Sequence, residues 1–206
     1  MMVCAFTCLL LSVVCLAVQV SAQQTGCKNK SITHAGYSQP PRNALCRLQP
    51  DPASTQKVSG IVIFNQTGPS EPLKMTIHLS GFKTYSPDTP ETQLLHGFHI
   101  HEFGDVASGC LAAGGHYNPK NSNHGDITDR VRHVGDFGNI KQELDGTLEK
   151  VIEDKIATLY GTYSVLSRAV VVHEKPDDLG RGGNPASLLN GNAGARLACC
   201  SIVISP

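Results

Sequence analysis

The triplet His99-Ile100-His101 sets the tightest constraint on this chain. Residues two apart face the same side only on a β-strand, where they lie about 6.6–6.8 Å apart. Two imidazoles so placed converge on one point only if the segment is extended. Alone, the pattern fits two solvated histidines as well as a metal-binding pair. Its neighbours change that reading. His116, His124, His133 and Asp136 follow in a Gly-rich stretch, residues 104–137, and His173 lies on a later β-like run. Three imidazoles and a carboxylate make a tetrahedral donor set suited to zinc, and glycines let the backbone fold tightly around an ion. Six imidazoles with one carboxylate are too many for a single tetrahedral site. Two metals are the simpler count.

The rest of the chain suits that arrangement. Its 206 residues carry 17 Lys+Arg against 17 Asp+Glu, which excludes the cationic surplus of a sequence-independent nucleic-acid binder. Gly (20) and Pro (12) are abundant, Trp is absent and aromatics are 5%, a composition that suits one all-β domain with long loops. Short β-like runs cover Lys57 to Gln66, Met75 to Leu79, Leu94 to Phe103, Lys150 to Tyr163, Arg168 to His173 and Arg196 to Ile204. No window holds a helical period, so an antiparallel sandwich or barrel is expected. Residues 104–137 and 174–195 break the even spacing, and long loops of this kind are usually functional.

The amino-terminal stretch points to export. Residues 1–22 are apolar and end in Val20-Ser21-Ala22, and read as a signal peptide cut after Ala22. An anchored N-terminal helix is the alternative. Residues 23–43 read as a flexible extension and residues 44–206 as the folded domain. No later stretch is apolar enough to span a membrane. Five cysteines follow the leader, namely Cys27, Cys46, Cys110, Cys199 and Cys200, enough for two bridges and one spare thiol. Adjacent on a strand, Cys199 and Cys200 must point to opposite faces and so find different partners. Asn29 and Asn65 stand in N-glycosylation sequons.

Four blocks carry a resemblance. They are Gly97–Asp105, Gly115-His116-Tyr117-Asn118-Pro119, His133-Val134-Gly135-Asp136, and Val172-His173-Glu174 with Gly191–Cys199. In these blocks residues 44–206 resemble the copper/zinc superoxide dismutases, and within them the secreted branch. The resemblance implies a flattened eight-stranded Greek-key β-barrel, related in architecture to the immunoglobulin-like sandwich. It implies one copper and one zinc per subunit, with superoxide as the substrate. His99, His101, His116 and His173 match the copper ligands, and His116, His124, His133 and Asp136 the zinc ligands, so His116 would bridge the two ions. Asp177 matches a carboxylate that ties a copper-side histidine to a zinc-side one. Arg196 matches the active-site arginine, with a surface arginine as the alternative. His34, His78 and His96 are left as structural or surface histidines.

The resemblance also pairs Cys110 with Cys199 and Cys46 with Cys200, free buried thiols being the alternative, and leaves Cys27 unpaired. A homodimer or higher homo-oligomer is implied. One departure concerns charge. Residues 182–190 carry none, where relatives place steering charges. Pro185 and Ala186 replace glutamates, and Leu189 replaces a lysine. Leu188-Leu189 is then either an apolar contact point or an inward-packing pair. Without a basic tail after Ser205-Pro206, tight heparin binding is not expected. A second class of function stays open beside the enzyme: a secreted protein of the same fold with little activity, serving metal transport or surface recognition.

Overall fold

The computed structural model describes residues 39–206. The expected signal peptide, Cys27, Asn29, His34 and most of the expected extension lie outside the described residues. Nine strands form: β1 (Arg42–Pro50), β2 (Ser59–Gln66), β3 (Leu73–Ser80), β4 (Leu95–His101), β5 (Asp136–Lys141), β6 (Leu148–Asp154), β7 (Ala169–His173), β8 (Arg196–Ser201) and the short β9 (Val203–Ser205). Every ladder is antiparallel. The path runs β5-β4-β7-β8-β1-β2-β3-β6, with β9 continuing the line of β8 and pairing β1. Its two ends, β5 and β6, meet and nearly close the sheet on itself. The non-sequential neighbours β3·β6 and β4·β7 are Greek-key crossovers. The expected all-β, eight-stranded barrel is what forms.

Alternation builds the core. On β3, Leu73, Met75, Ile77 and Leu79 are buried while the residues between them turn outward. Ala44, Cys46 and Leu48 do the same on β1, and Phe98 meets Phe137 edge-on with ring centroids 6.2 Å apart. On β7 all five residues are buried. Val170 and Val172 face the barrel core, whereas Ala169 and Val171 pack under Cys110, Ala113 and Cys199. That strand is covered on its outer face by the long loop that ends at β5, which holds the loop against the barrel.

Three expected boundaries differ. The first strand begins at Arg42, inside the segment read as extension, because Arg42 and Asn43 pair with Gln66 and Asn65 on β2. The expected strand from Lys150 to Tyr163 stops at Asp154. There the Asp154 carboxylate accepts the backbone N–H groups of Ile156 and Ala157 (2.8 and 2.5 Å) and turns the chain. β5 went unread because its first residue belongs to the histidine-rich loop pattern. A short helix, α1 (Ser187–Asn190), lies in the second long loop. No helix among the described residues is long and apolar enough to cross a membrane.

The cysteine doublet splits across β8. Cys200 bridges Cys46 inside the barrel core, and Cys199 bridges Cys110 in the outer cluster. Opposite faces of one strand thus fasten the barrel interior and the metal-loop backbone.

Candidate metal centre

Four rings gather at the open end of β4 and β7. The β4 pleat presents His99 and His101, a bulge at the end of β7 turns in His173, and His116 is held beside His101 by an isolated β-bridge. Ring centroids lie 4.0 Å apart for His99 and His116, 5.0 Å for His101 and His116, and 5.5 Å for His101 and His173. Further along the first long loop, His124 and His133 approach His116 to 5.2 and 5.6 Å, and Asp136 opens β5 among them. All seven residues are buried. Their donor atoms form two groups, each with every atom within 4.8 Å of the others: His99, His101, His116 and His173, and then His116, His124, His133 and Asp136. His116 belongs to both.

Hydrogen bonds fix which ring nitrogens are free. His99 and His124 each donate Nε2–H to Asp177, to Oδ2 and Oδ1, both at 2.8 Å. Their Nδ1 atoms are left buried without a hydrogen-bond partner. His101 donates Nδ1–H to the Gly114 carbonyl (2.9 Å) and His173 donates to the Gly194 carbonyl (3.3 Å), so their Nε2 atoms carry lone pairs. Those two Nε2 atoms face one another at 3.3 Å, and two lone pairs cannot hydrogen-bond. On the other side Asp136 Oδ1 lies 2.9, 3.0 and 3.1 Å from Nδ1 of His116, His124 and His133. His133 donates its Nε2–H to the Ser122 carbonyl (3.0 Å), so it and His124 both turn lone pairs toward a carboxylate. Among the imidazole nitrogens of the described residues, His116 Nε2 is the remaining one that is buried and unpartnered. A cation at each convergence point resolves these contacts, and the donor sets are those of imidazole-rich copper and zinc sites.

Electrostatics agrees. Burial, reinforced by the charge of His116, holds His99 and His101 well below the usual histidine range. Burial, again with His116, pushes His173 down to about 3. Burial would also lower His124, but the carboxylates of Asp136 and Asp177 on either side of its ring win and raise it to about 9. Burial would raise Asp136, yet the rings of His116, His124 and His133 crowded against its oxygen hold it well below the carboxylate range. One half of the site rejects protons, and the other concentrates negative potential.

Arg196 stands at the mouth. Its guanidinium donates to the carbonyls of Cys110 (2.5 Å) and Gly114 (2.6 Å), so the disulfide loop aims it. A cleft of about 500 Å³ opens beside it, lined by His101, His116, His173, Leu189, Asn190 and Arg196. Leu188 and Leu189 are both exposed, so the inward-packing alternative does not hold. The Leu188 carbonyl instead accepts the His124 N–H at 2.9 Å.

The histidines outside the two groups behave differently. His96 is buried between the His173 carbonyl and Gln142, both at 2.9 Å, while His78 sits on the surface near Glu149. Several supporting residues escaped sequence reasoning. Arg132, fully buried, pairs with Asp154 and donates to the carbonyls of His133 and Asp136. Asp51 accepts the Cys110 N–H at 2.6 Å. Asn139 grips the backbone of Asp177. Only Arg132, next to a histidine of the loop, had a sequence signal to offer.

Comparison with known proteins bears on this geometry. Residues 58–202 match the family described as copper/zinc superoxide dismutase (SODC). The chain is 42% identical over 163 residues to "Superoxide dismutase [Cu-Zn] 5" of Dictyostelium discoideum, covering 79% of this chain and 98% of that protein. It is 47% identical over 148 residues to "Superoxide dismutase [Cu-Zn]" of Neurospora crassa, covering 72% and 91% respectively. To "Extracellular superoxide dismutase [Cu-Zn]" of Rattus norvegicus it is 45% identical over 163 residues, covering 78% of this chain and 62% of that protein.

Proposed function

The chain belongs to the copper/zinc superoxide dismutase family, an oxidoreductase family whose cofactors are copper and zinc, and on that premise we propose that it disproportionates superoxide outside the cell. In this reading His99, His101, His116 and His173 hold copper, and His116, His124, His133 and Asp136 hold zinc, one ion of each per subunit. Bound copper supplies a one-electron couple that oxidises one superoxide to dioxygen and reduces the next toward hydrogen peroxide, while zinc supplies fixed charge. His116 serves both sides, with Nδ1 toward Asp136 and Nε2 toward the other three rings. His116 Nε2, buried and without a hydrogen-bond partner, would hold one proton and hand it to the departing product, solvent supplying the second proton that peroxide needs. Asp177 holds the His99 and His124 rings by their Nε2–H groups, which keeps both Nδ1 lone pairs inward. Arg196, pinned by two carbonyls, draws a small anion to the cleft and orients it.

The observation that carries the reading is the sharing of one buried ring by two complete donor groups. Extracellular residence is supported by the apolar stretch at residues 1–22, by the two disulfides and by the likeness to the rat extracellular protein. In that compartment Asn29 and the exposed Asn65 become glycan acceptors. A homodimer or larger assembly is supported by exposed Val203 and Ile204, which edge a shallow pocket with Gly104, Leu166 and Ser167.

The test is metal content and cyanide-sensitive superoxide removal by protein purified from the medium of expressing cells. One copper and one zinc per chain with turnover is expected. Zinc without copper and no turnover would instead favour a secreted metal-transport or surface-recognition protein.

A further inference from the structure

β5 contains an irregularity that its sequence makes possible. Phe137 and Ile140 both lie in the barrel core although three positions separate them, which strict alternation forbids. The register supplies the reason, because Gly97 pairs Asn139 while His99 pairs Asp136, so one residue is inserted on β5. Gly138 accommodates the insertion at φ +66°, a conformation that glycine adopts without strain. A Cβ there would press on Asp126 Oδ1 at 3.2 Å. With this bulge, Asp136 and Asn139 both turn away from the core and toward the loops.

Asp136 enters the zinc-side donor group. Asn139 does something different. Its Nδ2 donates to the Asp177 carbonyl (2.8 Å), and its Oδ1 accepts the Asp177 N–H (2.7 Å). Both backbone groups of one residue in the second long loop are therefore held by one side chain of the barrel. That residue carries the carboxylate whose two oxygens bind His99 and His124. The Leu179 N–H also donates to Asp177 Oδ1 (2.7 Å), with Leu179 itself at φ +62°. Leu179 belongs to the same loop, so it cannot anchor that loop to the barrel. Asn139 can.

We propose that Asn139 is a positioning residue for both metal sites, acting through Asp177 to set the rings of His99 and His124. The proposal rests on the two-metal reading above. A purely local role would cost stability and leave the rings where they are. A positioning role moves the rings and loosens zinc, since outer partners of this kind are worth about tenfold or more in metal affinity.

The experiment compares metal-loaded full-length protein with Asn139→Ala, Asn139→Asp and a matched control, Gln66→Ala. Gln66 is a buried amide clamp of the same type on β2, accepting the Leu159 N–H (2.7 Å) and donating to the Glu71 carbonyl (2.7 Å). Two quantities are read: zinc release to a competing chelator, and exchange of the Nε2–H protons of His99 and His124 by NMR. Asn139→Ala is expected to release zinc about tenfold faster and to expose both ring protons to exchange. Asn139→Asp keeps the acceptor for the Asp177 N–H but sets an oxygen against its carbonyl. It is expected to shift both readouts in the same direction, and it carries the test alone if Asn139→Ala does not fold. Gln66→Ala is expected to lower the melting temperature and leave both readouts unchanged. Zinc release changed by less than threefold in the Asn139 variants, or an equal change in Gln66→Ala, overturns the proposal. Wild-type protein that takes up no zinc overturns the two-metal reading itself, and this proposal with it.

Discussion

Arg132 sits between the zinc-side loop and the barrel wall, where its guanidinium joins Asp154 to the carbonyls of His133 (3.1 Å) and Asp136 (2.9 Å). Both charges are out of water, so removing one strands the other. Arg132→Met should therefore destabilise the metal-free protein by about 3–5 kcal/mol, read as a lower denaturant midpoint at an unchanged slope. A loss under about 1 kcal/mol would mean that the pair contributes nothing beyond a packed apolar side chain. Arg196 makes the opposite case, a half-buried cation whose use lies in its direction. Arg196→Lys removes the fork that bonds two carbonyls at once. Superoxide removal should drop roughly tenfold, because the charge stays but its aim is lost, and misplacing a positioning group by about 1 Å can cost up to about a hundredfold, with copper and zinc content unchanged. An undiminished rate with lysine would show that charge alone, unaimed, suffices.

At the scale of elements, the second long loop is the departure with consequences. Between Arg181 and Arg196 it has no charged residue, and its short helix shows Leu188 and Leu189 to solvent. Arg196, half-buried at the mouth, is then the one charged side chain lining the cleft, and a partly buried charge is screened by salt less than an exposed one. Raising ionic strength from about 0.01 to 0.15 M shortens the screening length from about 30 to 8 Å, yet the rate should fall by less than about twofold. A tenfold fall would contradict the reading. The elements differ in how plainly the sequence states them. β3 is legible because its buried residues alternate without interruption, and His99-Ile100-His101 is legible because a pair two apart shares one face of a strand and His116, His124, His133 and Asp136 follow it in the chain. β1 was hidden by its polar start, and β5 by a bulge that breaks the period and by an acidic residue borrowed for the metal site. Asp177 could be found only through resemblance. The links from Asn139, Arg132 and Asp51 run through space between segments far apart in the chain, and no local pattern records them.

For the whole molecule, the buried histidines tie folding to pH. In the metal-free chain His99, His101, His116 and His173 are all held below their ordinary 6.5, chiefly by burial. The unfolded chain therefore binds more protons than the folded one as pH drops through about 6.5, and stability must fall in that direction. Asp136, lowered by its three histidine partners, acts with the same sign: its contribution is present above the ordinary carboxylate range and lost in acid. His124, raised to about 9, acts with the opposite sign, stabilising fully below 6.5 and losing that contribution as pH climbs through about 9. Four rings outweigh one, so the acid side is the steeper. Each uncompensated proton adds about 1.4 kcal/mol per pH unit. The melting temperature of metal-free protein should thus decline clearly from pH 7 to pH 5. Metal ions and protons compete for the same lone pairs, so loaded protein should melt higher at pH 7, by the equivalent of about 4 kcal/mol for each ion whose free concentration is a thousandfold above its Kd. That advantage should shrink toward acid as protons take the ligands. A metal-free melting temperature that stays level between pH 7 and pH 5 would show that the rings are solvated and free to charge, and a site so open could not fix two ions a single imidazole apart.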